Sequence, residues 1–257
     1  MVFLEIVIKK YSYKRTYSEV RGYLHIRNNL PCQDKTYYLK NNGLHIMVLA
    51  DGAGSAKHSD VGAKEAVKCI ANHINDSFDN IFKNLNKKSV KDKMIQLIIK
   101  RIEKIKPKRN SVKDYASTLL FIATHKDKYI LGHLGDGAIG LKRGKKIRLL
   151  SAPENGETEN STFFYTSDSA VNRLRLKKGV VNQDSAFVLM SDGSFECIYD
   201  KQSQKFTNAL YSFIDWTKKE DEKKVSAAIL KNIKKHFTEK TTDDISLSIL
   251  DINVKKK

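Results

Sequence analysis

The sequence predicts an α+β fold in which antiparallel strand pairs and amphipathic helices come in separate runs. Apolar stretches of strand length occur in pairs around short turn signals. Tyr37–Leu39 and Leu44–Ala50 flank Asn41-Asn42-Gly43, and Ala116–Thr124 and Lys128–Leu134 are parted by a Lys-Asp turn. Between and after these pairs, apolar residues recur at helical rather than alternating spacing. With 257 residues, the chain is long enough to bury a sizeable core, and residues 1–257 are expected to form one domain.

Along the chain, Phe3–Ile8 and Tyr23–Ile26 are expected as strands joined by a polar connection, and Arg27 to Asp34 as a loop by its Asn-Asn and Pro content. Ser59 or Asp60 can cap a helix with Val61, Ala66, Val67, Ile70, Ala71 and Ile74 on one face. A second helix begins near Ser89, turns Met94, Leu97, Ile98, Ile102 and Ile105 inward, and stops at Pro107. Ile139–Leu141 and Lys146–Leu150 make another hairpin around Arg143-Gly144-Lys145. The polar stretch from 151 to 170 reads as an irregular excursion of the kind that usually serves a site. Ala186–Met190 is a short buried strand. Phe206–Trp216 and Asp221–Phe237 are helices, and Ile245–Leu250 is a closing strand with alternating pattern.

Composition excludes several function classes. At 40% hydrophobic and 30% charged residues the chain is globular rather than disordered. No apolar run approaches the roughly 20 residues that span a bilayer, so no membrane role is expected. Met1–Ile8 lacks the basic start and small-residue cleavage site of a signal peptide. Cys32, Cys69 and Cys197 are scattered without CxxC spacing, which fits neither zinc nor a disulfide framework and suits a reducing, cytoplasmic setting. The formal charge of +18 raises nucleic acid as a partner, and Lys83–Lys113 carries twelve Lys or Arg against Asp92 and Glu103. That run has no aromatic to stack on bases, and 38 of the 47 basic residues are lysine, so it reads as a solvated helix face.

The chemistry lies at strand ends. Val48-Leu49-Ala50 runs into Asp51-Gly52-Ala53-Gly54-Ser55. Lys128–Leu134 runs into Gly135-Asp136-Gly137, Ala186–Met190 into Ser191-Asp192-Gly193, and Thr242-Asp243-Asp244 opens the last strand. Asp34 ends a loop that the first hairpin brings towards Asp51. Each could be a turn aspartate and nothing more. Gathered at one sheet edge, however, such carboxylates would repel unless cations held them together. An oxygen-only donor set suits Mg²⁺ or Mn²⁺, and two such ions can polarise a phosphoryl group and activate water.

Those residues, Cys32-Gln33-Asp34, Leu49 to Lys57, Gly135-Asp136-Gly137, Met190 to Gly193 and Thr242 to Ser246, resemble in order and spacing the metal-dependent protein phosphatases of the PPM or 2C type. Gly22-Tyr23-Leu24-His25 is similar to a Gly-x-x-His found in a bacterial subgroup. The resemblance implies a four-layer α-β-β-α sandwich with two central antiparallel sheets and a metal centre at one end. It implies that Asp51 bridges two ions of Mn²⁺ or Mg²⁺, with the Gly52 carbonyl on the second and Asp192 and Asp243 on the first. Asp34 would order water, and Asp136 would belong to a third, weaker position. The implied reaction is hydrolysis of phosphoserine or phosphothreonine in a phosphorylated protein, by a metal-bridging hydroxide without a covalent intermediate.

Gln33 stands where many eukaryotic members carry Glu, Ala53 where they carry His, and no Arg is in register for the phosphate. His25 and Arg27 are the candidates for that role, His25 equally fitting a strand histidine with a structural hydrogen bond. His133 reads as a core histidine, Ser55 as loop structure and Cys32 as a buried filler. The expectation is a monomeric cytoplasmic phosphatase. The competing reading is a non-catalytic phosphatase-like regulator that binds a partner.

Overall fold

The computed structural model describes residues 9–156 and 162–256. In chain order the elements are strand β1 (Lys9–Val20), helix α1 (Tyr23–Arg27), strands β2 (Lys35–Asn41) and β3 (Leu44–Ala50), and helices α2 (Ser59–Asn84) and α3 (Lys88–Ile105). Strands β4 (Leu119–His125), β5 (Lys128–Leu134), β6 (Ala138–Arg143) and β7 (Lys146–Ser151) follow. The rest comprises α4 (Ala170–Arg173), β8 (Arg175–Val180), β9 (Ser185–Met190), α5 (Asp192–Ile198), the small ladder β10 (Tyr199–Asp200) and β11 (Lys205–Phe206), α6 (Asn208–Lys219), α7 (Glu222–His236) and β12 (Ile245–Lys256).

Two five-stranded sheets, ordered β1-β12-β9-β6-β7 and β2-β3-β4-β5-β8, are antiparallel throughout. Side-chain alternation along the central strands sorts the core into three sets. Met47, Leu49, Leu120, Ile122, Phe187, Leu189, Leu250 and Ile252 meet between the sheets. Ile46, Val48, Ala50, Phe121 and Ala123 face the other way, onto Ala66, Ile70, Ile74 and Ile98 of α2 and α3. Val188, Met190, Leu247 and Ile249 pack against Phe213, Ile214, Ile229 and Ile233 of α6 and α7. The order of layers is therefore helices, sheet, sheet, helices. Strands covered on both faces explain why β3 and β9 read as unbroken apolar runs.

The hairpin turn between β2 and β3 puts Asn42 and Gly43 at φ of 44° and 78°, the left-handed pair that the Asn-Gly signal announces. Other expectations need correction. Lys9–Val20, expected as a polar connection, is the edge strand β1, paired along its whole length with β12. Tyr23–Ile26, expected as a strand, is the short helix α1. Arg175–Val180 was not anticipated and forms the opposite sheet's edge, on β5. Edge strands rich in Lys and Arg hide from a hydrophobic pattern because only one face is covered and charge discourages further pairing. The strand expected at Phe3–Ile8 lies outside the described residues. Among the described residues, no helix is long and apolar enough to cross a membrane.

Candidate metal centre

Four strand ends and one loop deliver their acidic side chains to the same end of the two sheets. Asp51 follows β3. Its backbone is locked to the start of β4, because its N–H donates to Thr118 Oγ1 (2.9 Å) and its carbonyl accepts from the Thr118 N–H (2.8 Å). Asp136 sits in the tight turn between β5 and β6. Asp192 lies just after β9 and opens α5, where its Oδ1 accepts from the Gly193 N–H (2.6 Å). Carboxylate oxygens of Asp51, Asp136 and Asp192 lie within 4.8 Å of one another.

This trio, together with Asp243, Gly52, Ala53, Gln33 and His25, lines a cavity of about 250 Å³. Asp34 is fully buried beside Asp51 and Asp192. Arg27, on the last turn of α1, is exposed and does not line the cavity.

Crowding is visible in the titration behaviour. Burial, followed by the neighbouring carboxylates Asp244 and Asp192, pushes Asp34 well above the ordinary range, and burial with Asp34, Asp192 and Asp243 does the same to Asp51. Asp192 rises from 3.8 to about 7, through burial first and then Asp243 and Asp136. Asp136 and Asp243 are raised chiefly by burial. Both oxygens of Asp34 and Oε1 of Gln33 are buried without a hydrogen-bond partner. Clustered anions with unpartnered oxygens cost free energy that a bound cation would recover. The donor set is all oxygen, so the residues present fit Mg²⁺ or Mn²⁺ and do not fit zinc.

One contributor was not singled out from sequence. Asp244 is buried, and its two oxygens accept from the N–H groups of Gly22 (2.7 Å) and Gln33 (2.5 Å). Its Oδ1 also lies 2.9 Å from His25 Nδ1, close in distance though not aligned as a hydrogen bond. Asp244 thus clasps α1 and the Gln33-Asp34 loop to the start of β12. Its place beside Asp243 in the Asp-Asp pair was the available signal. Gly22 completes the clasp: a Cβ there would stand 2.3 Å from the carbonyl carbon of Asp243, so only glycine allows the approach.

The excursion after β7 also reaches the site. The Glu154 N–H donates to the Gly135 carbonyl (3.0 Å), and the Glu154 carboxylate pairs with Arg173 (3.0 Å) and Arg175 (3.3 Å). Thr162 and Phe164 form part of the cavity wall. His133 is a core histidine, as expected: it is buried against Ser151 Oγ (2.9 Å) and held down to about 3 by burial and then Arg175. The three cysteines are free, and burial raises the Cys32 thiol, which agrees with an inert filler.

Serine/threonine-protein phosphatase 3 of Escherichia coli (strain K12) is 27% identical over 168 residues, which are 63% of this chain and 66% of that protein. The chain therefore spans just under two thirds of that curated relative's length. Among solved structures, the S. agalactiae serine/threonine phosphatase aligns with a TM-score of 0.62 at 14% identity, covering 93% of this chain and 99% of the other. The catalytic domain of the serine threonine protein phosphatase PstP, solved in complex with two manganese ions, aligns with a TM-score of 0.61 at 14% identity, covering 95% and 100%. At these identities the structural likeness speaks for the fold, which is the expected two-sheet sandwich. The family model described as protein phosphatase 2C matches residues 21–233, from the residue before Gly22 into the last turn of α7. With that match over most of its length, the chain belongs to the protein phosphatase 2C family.

Proposed function

We infer that this chain is a metal-dependent phosphatase acting on phosphoserine and phosphothreonine in proteins. The observation that carries the reading is the convergence of Asp51, Asp136 and Asp192, from three different strand ends, within 4.8 Å. Asp51, Asp136 and Asp192 would hold Mn²⁺ or Mg²⁺, with Asp243 and the Gly52 carbonyl on the same cavity wall. When bound, such ions polarise a phosphoryl group and make water a nucleophile near neutral pH.

The chain's own residues do the rest. Asp34, with both oxygens unpartnered and its pKa raised, is suited to orient the attacking water and to take up its proton. Among the described residues, His25 is the one basic side chain in the cavity lining and is assigned to the substrate phosphate, with Arg27 outside the cavity as a long-range attraction. Leu24 and Phe164 give the cavity an apolar flank that limits entry of bulk water. With Ala53 in that lining, no side chain at position 53 can protonate the leaving oxygen, which we assign to water.

Residues 1–257 are taken as one domain, acting as a monomer in the cytoplasm. The shared inter-sheet core supports the single domain, and the three unpaired cysteines suit a reducing compartment. The regulator reading is disfavoured, because a protein that had abandoned catalysis has no need to keep five converging carboxylates crowded against their own repulsion.

Phosphate release from a phosphothreonine peptide tests the proposal. Activity should require Mn²⁺ or Mg²⁺ and vanish in chelator. Asp51→Asn and Asp192→Asn should each lose more than the roughly 10–100-fold that removing an outer partner of a metal ligand brings. Full turnover in chelator, or in either variant, would defeat it.

A further inference from the structure

The two sheets end in edge strands, β7 and β8, that side chains bridge: Lys177 Nζ donates to the Leu150 carbonyl (2.9 Å) and Arg143 Nη2 to the Val180 carbonyl (2.9 Å). Beside these bridges lies a cavity of about 630 Å³, a size that takes one small molecule. Tyr129, Leu141, Leu149 and Leu150 give it an apolar wall, the first two being buried members of the layer between the sheets. The other wall is cationic. Arg143, Lys145, Lys146 and Arg148 all come from the β6–β7 hairpin, and among the described residues no Asp or Glu lines the cavity or pairs with any of the four. The hairpin holds like charges against one another, since Arg143 and Lys146 are direct cross-strand partners. Lys142, one residue away and so on the opposite face, does have an acid, Asp215 at 3.5 Å. Among the described residues Arg143 Nε is buried without an acceptor. A guanidinium N–H shut away from water and from any partner costs free energy that an anion beside it would recover.

We propose that this cavity binds a single-chain amphiphilic anion, its aliphatic body against the leucines and its phosphate-like head on the Arg143, Lys145, Lys146 and Arg148 cations. Charge complementarity selects the head: a rim of four cations without an acid calls for a multiply charged anion, and the guanidinium fork matches phosphate oxygens. The wall selects the body. Three of its four apolar residues are leucine, and the ring of Tyr129 is already packed on Phe187 (centroids 5.0 Å apart) and across Gly179, where a Cβ would stand 2.6 Å from it. Little ring face is left on which a nucleotide base could stack, so a chain fits better than a base. The site is separate from the metal centre. Tyr129 is near the start of β5 and Arg143 at the end of β6, both away from the Asp136 turn that joins these strands, and six residues of strand span about 20 Å. The proposal therefore does not depend on the phosphatase reading.

Calorimetric titration of the full chain with decylphosphonate tests it, in chelator so that no ion can hold the head at the metal centre, and below the concentration at which the probe forms micelles. One molecule should bind per chain. Methylphosphonate, the head without the body, should bind at least about 100-fold more weakly, because several methylenes then stay in water. Decyl maltoside, the body on an uncharged head, should bind at least about tenfold more weakly. Lys146→Ser/Arg148→Ser should weaken decylphosphonate binding by about tenfold or more, and both side chains are exposed, so the variant keeps its fold. Lys93→Ser/Lys100→Ser removes the same charge from exposed positions on α3 and should leave binding within about twofold. Absence of binding, or many molecules bound per chain, would overturn the site. An equal loss in the α3 variant would reduce it to attraction by the overall positive charge and overturn it too. Methylphosphonate binding as tightly as the decyl compound, or adenosine monophosphate binding more tightly, would overturn the aliphatic occupant. None of these results bears on the metal centre.

Discussion

In metal-free protein, replacing Asp192 by Asn should stabilise the fold, and more so as the pH rises. The folded-state pKa of Asp192 is raised from 3.8 to about 7, so its contribution is most favourable below about 4 and is lost as the pH climbs through 7. At 1.36 kcal/mol per pH unit the full loss has a ceiling of about 4 kcal/mol, of which about 2 has gone by pH 5. An Asn at that position titrates nowhere, so the variant escapes the loss. The stability gap between variant and wild type should therefore widen by about 2–3 kcal/mol between pH 5 and pH 8, or on the order of 5–10 °C in Tm for a chain of this size.

Thermal unfolding in chelator at the two pH values measures it. His45 and His133, held to about 4 and about 3 by burial, push the pH profile the opposite way below pH 6.5, but they are common to both proteins and cancel in the difference. Saturating Mn²⁺ should reverse the order, because ligand binding stabilises only the protein that keeps its site. A gap that is constant or narrows from pH 5 to pH 8 would refute the view that these carboxylates are held against their own repulsion.

Gly22→Ala should cost about 1–3 kcal/mol by overpacking against the Asp243 backbone 2.3 Å away. It should also lower Mn²⁺ affinity by about tenfold in calorimetric titration, the low end of the range for a lost outer-shell support. Unchanged affinity would mean that α1 does not position Asp243. Leu189→Ala, a fully buried change between the sheets, should lower urea-unfolding stability by about 2–5 kcal/mol and leave Mn²⁺ affinity within twofold of wild type.

Much of the fold is legible because its central strands are covered on both sides. Val48–Ala50 and Ala186–Met190 admit no polar residue, and so announce themselves as apolar runs. The Asn42-Gly43 turn is equally plain, since few other residues accept its backbone angles. Strands β1 and β8 were hidden for the converse reason: each is an edge, and the residues that keep an edge from pairing further are the ones that make it look like a loop. Helix α1 is too short to be stable alone. The tertiary bond from Leu24 to Thr242 settles a conformation that Tyr23–Ile26 by themselves would equally allow as a strand.

By itself the sequence determined most of the acidic residues and the kind of chemistry open to them, since an Asp-Gly just after each of three buried strands and an Asp-Asp pair before the last are local patterns. Which of those oxygens meet was decided only by tertiary structure. The closest trio takes in Asp136 with Asp51 and Asp192, Asp244 serves as a clasp, and Arg27 stays outside. The reason is geometric: the stagger of two packed sheets, set by contacts spanning nearly the whole chain, fixes distances of a few ångströms that no local spacing encodes.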